Sequence, residues 1–77
     1  MKKTMSQNQM VAKYIDDFGS ISPLEAMADL GVLRLSARIY DLRYKFKRNI
    51  KMTIETGRNR YGNPVRYARY SWAEDTE

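Results

Sequence analysis

Residues 22–43 read SPLEAMADLGVLRLSARIYDLR, and this stretch carries the clearest structural signals in the 77-residue chain. Its first four residues predict a helix start: Ser22 can cap the helix, Pro23 at the first position loses no hydrogen bond, and Glu25 completes a capping box. We place a helix over residues 23–30, ended by Gly31, which accepts positive φ. Its expected apolar face consists of Leu24, Met27, Ala28 and Leu30.

A second helical pattern follows a tight connection at Val32 and Leu33. Apolar residues recur with helical spacing and predict a helix over residues 34–47, with a buried stripe of Leu35, Ile39, Leu42 and Phe46. The remaining residues fall on two flanks and on the side opposite the stripe. One flank holds Arg34, Arg38 and Lys45. The other holds Ser36, Tyr40, Arg43 and Lys47. The opposite side consists of Ala37, Asp41, Tyr44 and Arg48.

Toward the N-terminus, another capping box, Ser6-Gln-Asn-Gln9, begins a helix over residues 6–18 that Gly19 ends. Its stripe consists of Met10, Val11, Tyr14, Ile15 and Phe18. We expect Tyr14 or Ile15 to pack with the stripe of residues 34–47. Ser20 and Ile21 are too short for a helix and predict a brief extended strand that buries Ile21.

After Asn49 the period changes from 3.6 to 2, which predicts strands over residues 50–56 and 65–72 joined by a turn-rich stretch. We expect one face to be buried, with Ile50, Met52 and Ile54 facing Ala68, Tyr70 and Trp72. Tyr67 and Trp72 are interpreted as packing residues, with Trp72 close to the helical core. Residues 73–77 form a short acidic tail that we expect to fray.

The charge is distributed unevenly along the chain. The formal net charge is +5, yet residues 34–70 contain eleven Lys and Arg against two Asp and Glu, a net charge of +9. So one-sided a distribution predicts a polyanionic partner. The alternative is a solvated basic surface that keeps a small protein soluble.

Composition also excludes several classes of function. The chain contains no cysteine and no histidine, so the usual general base, thiolate nucleophiles and the commonest metal ligands are missing. We therefore expect no enzyme, catalytic residue, metal site, cofactor or small-molecule substrate. No apolar run approaches a membrane span, and residues 4–9 are too polar for a signal peptide. These features predict a cytoplasmic protein without a membrane partner.

The predicted order is helix, short strand, helix, tight turn, helix and then a hairpin with a basic tip. The two helices joined at Gly31 and Val32 make a helix-turn-helix, and the hairpin would carry its tip outward as a wing. The chain here resembles the winged helix-turn-helix domains, specifically a small family common in phages and prophages. The resemblance spans about residues 7–72 and rests on Ser22-Pro-Leu-Glu-Ala26, Leu30-Gly-Val32, Arg34-Leu-Ser-Ala-Arg-Ile-Tyr-Asp-Leu-Arg43, Asn49-Ile50, Asn59-Arg-Tyr-Gly62 and Val65-Arg-Tyr-Ala-Arg-Tyr70.

The resemblance implies an α+β fold: a single winged helix-turn-helix domain over residues 1–77, with an ordered core of about 6–72. One departure concerns the glycine that such domains often have after the third helix. Residues 45–48 contain none, which leaves the end of that helix open. The family likeness further implies sequence-specific binding of double-stranded DNA, with the third helix in the major groove and the wing on the backbone or minor groove. The expected role is that of a phage or prophage transcriptional regulator or accessory factor, acting as a monomer or weak homodimer.

The residues themselves permit DNA binding, because arginine can recognise guanine and small residues let a helix approach the groove floor. The candidate contacts are Arg34, Ser36, Ala37, Arg38, Tyr40, Asp41, Tyr44, Lys45, Arg58, Asn59, Arg60 and Tyr61. Binding to a host protein and binding to RNA are the alternatives. A protein-binding wing would tend to be apolar, whereas arginines favour phosphate.

Several of the arginines also have a structural interpretation. Arg38 and Asp41 could simply pair along the helix surface. Arg43 sits at the edge of the buried stripe, where covering the core is the favoured role. Arg66 and Arg69 could serve only to protect the hairpin's edges against aggregation. Arg58 and Arg60 have little evident structural reason to occupy a turn, so a functional role is favoured for them.

Overall fold

The computed structural model describes residues 4–73, which form three helical segments followed by a hairpin. Helix α1 spans Gln7–Phe18. Helix α2 spans Pro23–Glu25 and continues without a break as a π-helix, Ala26–Leu30. Helix α3 spans Leu35–Tyr44, and strands β1 (Ile50–Arg58) and β2 (Pro64–Trp72) follow. The predicted fold, three helices and a C-terminal antiparallel hairpin, is confirmed. Residues 74–77 of the predicted acidic tail lie outside the described part.

Both predicted capping boxes are present. The Ser6 hydroxyl accepts the backbone N–H of Gln9 at 3.1 Å, while the Gln9 side chain accepts the Ser6 N–H at 2.8 Å. Ser22 and Glu25 make the same reciprocal pair at 3.3 and 3.0 Å. These local bonds satisfy donors that a helix start would otherwise leave unpaired, which fixes where α1 and α2 begin.

One hydrophobic core joins all the elements. It consists of Val11, Ile15, Ile21, Ala26, Val32, Leu35, Ile39, Leu42 and Ile50. The expected packing of Leu35, Ile39 and Leu42 with α1 is confirmed, and of the two expected partners, Tyr14 and Ile15, it is Ile15 that is fully buried. Tyr14, one residue earlier, is half-buried and donates its hydroxyl hydrogen to Asp29 at 2.6 Å. That hydrogen bond is the main cause that raises the pKa of Tyr14 to about 12.

The expected apolar face of residues 23–30 is wrong. Leu24 and Met27 are exposed, Leu30 is half-buried, and the buried residue is Ala26. The side that faces the core is that of Ser22 and Ala26, which lie four residues apart and are both buried, so the apolar face was assigned to the wrong side of the helix. The last turn is π-helical, because the Gly31 N–H reaches the Ala26 carbonyl five residues back. Gly31 then adopts φ 71, which completes the turn toward α3.

The third helix is shorter than expected, because α3 ends at Tyr44 rather than at residue 47. The Arg48 N–H closes the end with a 2.8 Å bond to the Leu42 carbonyl, and Lys47 has φ 59, the left-handed conformation usually taken by glycine. Phe46 therefore lies beyond the helix and is 54% exposed, so its assignment to the buried stripe is wrong.

The hairpin register confirms the predicted pairing but not all of the predicted burial. Ile50 pairs with Trp72, Met52 with Tyr70 and Ile54 with Ala68, so all six share one face. Only Ile50 is fully buried, and Ala68, Tyr70 and Trp72 are half-buried. Met52 and Ile54 are about half exposed. The helices cover only the base of this face, and the strands extend beyond them.

The short strand expected between the first two helices is replaced by one isolated bridge. Ile21 and Tyr70 exchange both backbone hydrogen bonds at 2.9 Å, and the Ile21 side chain is completely buried. The predicted burial of Ile21 is thus confirmed. The bridge attaches β2 directly to the segment that precedes α2.

The conformation of Lys47 leads to a stability prediction. Replacing Lys47 by Gly removes the steric cost of a left-handed non-glycine residue, so Lys47→Gly should raise the free energy of unfolding by about 0.5–1 kcal/mol. Lys45, with φ −87, is the matched control. Lys45→Gly should instead lower the free energy by about 0.5–1 kcal/mol. Urea unfolding of both variants tests this, and a destabilised Lys47→Gly protein would contradict the assigned conformation.

Candidate nucleic-acid interface

The solvent-facing side of α3 carries small and aromatic residues. Ser36 is exposed and Ala37 half-buried, so little bulk separates this part of the helix from a partner. Tyr40 and Tyr44 are 64% and 61% exposed, as expected, and their ring centroids lie 4.7 Å apart. This side can enter a groove closely and still offer two hydroxyl groups.

The N-terminal end of α3 borders an open groove of about 450 Å³. It brings together three of the candidate residues, Arg34, Ala37 and Arg38, with Gln7, Gly31 and Leu33. Arg34 is the N-cap residue of α3 and is exposed, but its side chain does not cap the helix. Its guanidinium group is therefore available to a ligand in this groove.

Arg38 and Asp41 are held by contacts within the protein. They form an ion pair at 3.3 Å, and both side chains are largely buried. Arg38 also donates to the Gln7 side chain at 3.2 Å, and Asp41 accepts from the Asn8 amide at 3.3 Å. Of the two interpretations that the sequence left open, the structure shows the pairing, and the pair fastens α3 to the first turn of α1.

Arg43 has a structural contact, as favoured from the sequence, and makes it through its guanidinium group. Its guanidinium donates to the Ile50 carbonyl at 3.0 Å and so joins α3 to the first residue of β1. Lys45 lies just past the end of α3 and is exposed. The candidate residues of the third helix thus divide into exposed groups and groups that hold the helix in place.

The tip of the hairpin is built by its own polar side chains. The Asn59 side-chain oxygen accepts the backbone N–H groups of Tyr61 and Asn63 at 2.9 and 3.0 Å. Arg58 donates to the Gly62 carbonyl at 2.7 Å, and Gly62 has φ 83. Arg58 therefore has the structural role that the sequence did not reveal. The turn presents the exposed Arg60 and Tyr61, the latter 84% exposed.

Sequence reasoning missed two long-range clusters. Arg69 binds Glu25, Glu55 and Ser20, each at a shortest distance of 3.0 Å. The hydrogen bonds to Glu25, then those to Glu55, raise the pKa of Arg69 above its ordinary value. Arg69 thus does more than protect an edge. Glu25 lies 44 residues away in the chain, so no local pattern could have indicated this contact.

The second cluster surrounds Trp72, whose expected packing role is confirmed. The Trp72 side chain packs against the core, and its indole N–H donates to Asp16 at 2.6 Å. The Arg48 guanidinium lies 4.0 Å from the ring centroid, within range of a cation–π interaction. The sequence indicated only that the aromatic residue Trp72 would pack. It could not indicate Asp16 or Arg48 as its partners, because both come from distant parts of the chain.

The eleven cations of residues 34–70 fall into two groups. Five of the eleven are engaged in the contacts described above. The side chains of the other six make no hydrogen bond or ion pair with any residue from 4 to 73, and these residues are Arg34, Lys45, Lys47, Lys51, Arg60 and Arg66. The two acids of the same stretch, Asp41 and Glu55, are both ion-paired. The free charge of this half is therefore entirely positive.

A family model described as a winged helix-turn-helix domain matches residues 6–75. The chain belongs to the winged helix-turn-helix domain family. No curated protein and no solved structure matched it. In this winged helix-turn-helix domain, residues 23–30 and α3 are the helix-turn-helix, and the β1–β2 hairpin is the wing.

Domains of this family are typically DNA-binding modules without enzymatic activity. In the part of this winged helix-turn-helix chain that the structure describes, no helix is long and apolar enough to cross a membrane. The same residues include no cluster of side chains that could hold a metal ion.

The free energy of unfolding tests which arginines near the start of α3 hold the helix in place. Arg38→Ala removes an ion pair and a hydrogen bond to α1 and should cost about 1 kcal/mol of unfolding free energy. Arg34→Ala removes the same charge from an exposed cap that makes no such bonds, and it should change the free energy by less than about 0.5 kcal/mol. Thermal unfolding measures both. Equal losses would show that the contacts of Arg38 do not stabilise the packing of α3 on α1.

Proposed function

We propose that this winged helix-turn-helix domain binds double-stranded DNA in a sequence-specific manner. In the proposed complex α3 enters the major groove, and the wing contacts the backbone or the minor groove. The observation that carries the proposal is the sorting of charge: six cations of residues 34–70 lack a partner within the described chain, whereas both acids of that stretch are paired. A surface with only positive free charge suits a polyanion.

Each candidate contact has a proposed role that follows from its environment. Arg34, at the open N-terminal end of α3, would recognise a base edge. Ser36 and Ala37 would allow close approach, and the exposed hydroxyls of Tyr40 and Tyr44 would bind phosphate or pack on sugars.

Lys45 and Arg60 would neutralise phosphates, with Tyr61 beside Arg60 on the wing. Arg38, Asp41, Arg58 and Asn59 would act mainly by holding α3 and the wing tip in shape.

The finer proposal concerns biological context. The resemblance to small phage and prophage proteins supports a transcriptional regulator or accessory factor that works in the cytoplasm as a monomer or weak homodimer. The proposal requires no cofactor and no small-molecule substrate. Selection of bound sequences from random duplex DNA, with RNA as competitor, tests it. Recovery of a shared duplex motif is expected, and efficient competition by RNA would favour the RNA alternative instead.

One observation favours a second candidate function. On the stem of the wing, Met52 and Ile54 are 48% and 47% exposed on the same face of the sheet. Exposed apolar residues in a cluster are typical of protein-binding surfaces. Binding of a host protein through this stem is therefore the second candidate, and it predicts weak dependence on salt.

The salt dependence of DNA binding distinguishes these functions. If about five of the six free cations neutralise phosphates, log K against log salt should have a slope of about −4 to −5, because each contact contributes about 0.9. Fluorescence anisotropy with a labelled duplex at several salt concentrations measures this slope. A slope near zero would contradict phosphate neutralisation and would favour the protein partner.

Two substitutions separate base recognition by α3 from backbone contact by the wing. Arg34→Ala should weaken binding to the selected duplex by roughly 1–3 kcal/mol and reduce sequence preference. Arg60→Ala should weaken selected and random duplexes equally and reduce the magnitude of the salt slope by about 1. Competition anisotropy with both duplexes measures these effects.

The matched control is Lys13→Ala, which removes one positive charge from the exposed side of α1. It should cause only a small loss that is the same on every sequence, because it acts through the long-range field alone. If Arg34→Ala lowered affinity for random and selected duplexes alike, α3 would not read the sequence.

A further inference from the structure

Arg69 links the wing to the first helix of the helix-turn-helix through an ion-pair cluster. It projects from β2 and forms ion pairs at 3.0 Å with Glu25 of α2 and with Glu55 of β1. It also donates to the Ser20 hydroxyl at 3.0 Å. One guanidinium group therefore joins the wing to the helix-turn-helix and to the segment before it.

The partner on α2 is itself firmly placed. The Glu25 carboxylate oxygen that accepts from Arg69 also accepts the backbone N–H of Ser22 at 3.0 Å, as part of the capping box. The Glu25 carboxylate therefore both stabilises the start of α2 and binds the wing through Arg69. The other Glu25 oxygen also accepts from Arg69, at 3.3 Å, so the contact is bidentate. A bidentate contact favours one orientation of the guanidinium group relative to the carboxylate, and therefore of β2 relative to α2.

The contact lies opposite the core. Tyr70 is bridged to Ile21, and its side chain shares the core-facing side with Ile50 and Trp72. Arg69, the preceding residue, points to the other side of the sheet. β2 is thus held from both faces at neighbouring residues, by buried apolar side chains on one and by an ion-pair cluster on the other.

The position of Arg69 along β2 makes its contacts important for the placement of the wing tip. Pro64, the first residue of β2, lies five residues before Arg69, about 17 Å along an extended strand, and the turn that carries Tyr61 lies beyond it. A tilt of about 10° at Arg69 would move the end of the strand by about 3 Å, the length of a hydrogen bond, and the tip beyond it by more. A contact made by the tip therefore depends on a fixed direction of the wing.

We infer that Arg69 is a positioning residue that fixes the direction of the wing relative to α3, so that both engage one DNA duplex. The inference rests on the proposed function. It assigns to Arg69 no contact with DNA. Its effect reaches the DNA through the placement of Arg60.

The first experiment measures the direction of the wing without DNA. The chain contains no cysteine, so Tyr61→Cys and Leu33→Cys, at positions 84% and 80% exposed, accept spin labels at defined places. Double electron–electron resonance then gives the distance distribution between the wing tip and the turn before α3. Arg69→Gln should broaden this distribution.

Three further variants make the result specific. Glu25→Gln keeps an acceptor for the capping box but loses the charge that binds Arg69, so it should also broaden the distribution. Glu55→Gln weakens an Arg69 contact that lies within the hairpin, and Arg66→Gln removes a charge from the same strand without touching α2. Both should leave the width of the distribution unchanged. Circular dichroism confirms that each variant is folded.

The second experiment links the wing direction to DNA binding. The factor by which Arg60→Ala weakens binding is measured in the parent protein and in the Arg69→Gln and Glu55→Gln backgrounds. We expect this factor to fall by more than half in the Arg69→Gln background and to stay constant in the Glu55→Gln background. A merely stabilising residue would leave the factor the same in all three.

The outcomes separate this inference from the function on which it rests. An unchanged distance distribution in both Arg69→Gln and Glu25→Gln overturns the positioning role, whatever the DNA data show. A broadened distribution with an unchanged Arg60→Ala factor overturns the link to DNA binding. If Arg60→Ala has no effect in the parent protein, the wing contact in the proposed function fails, while the distances still decide whether Arg69 directs the wing.

Discussion

The bridge between Ile21 and Tyr70 is the constraint on which the rest of the structure depends. A two-stranded hairpin is marginally stable alone in water, and this one extends well beyond the helices. The two backbone hydrogen bonds at Ile21 attach β2 to the segment before α2, and the fully buried Ile21 side chain joins the core shared by α1 and α3. The helix-turn-helix and the wing therefore form one body. The Arg69 ion pairs add a second attachment on the opposite face.

Local signals predicted most of this fold. The two capping boxes, the glycines after α1 and the π-helix, and the change of period after Asn49 each depend on neighbouring residues, and each was correct. The errors concern which side of residues 23–30 faces the core and where α3 ends. Residues 23–30 present Ala26 rather than Leu24 and Met27 to the core. The left-handed Lys47 ended α3 before Phe46, because a lysine occupies a position that sequence reasoning reserves for glycine.

The candidate interface was only partly predictable, because charge can be counted from the sequence whereas pairing cannot. The exposed Tyr40 and Tyr44 followed from helical spacing. The sequence could not show that Arg58 closes the turn at the wing tip. It also gave no sign that Arg69 reaches Glu25, since that contact requires the hairpin to be placed against α2. Once paired cations are set apart, what remains is a smaller group of free cations at the two ends of α3, in the segment after it and on the wing.

The central claim is that α3 and the wing tip meet the same duplex. Amide chemical shifts of the isotope-labelled protein, recorded during titration with the selected duplex, test it most directly. The account predicts the largest changes at residues 34–45 and 58–62, with little change at Phe18 and Met27, which are exposed but belong to no proposed contact. Changes concentrated at Phe18 and Met27, or confined to α3 with none at the wing tip, would contradict it.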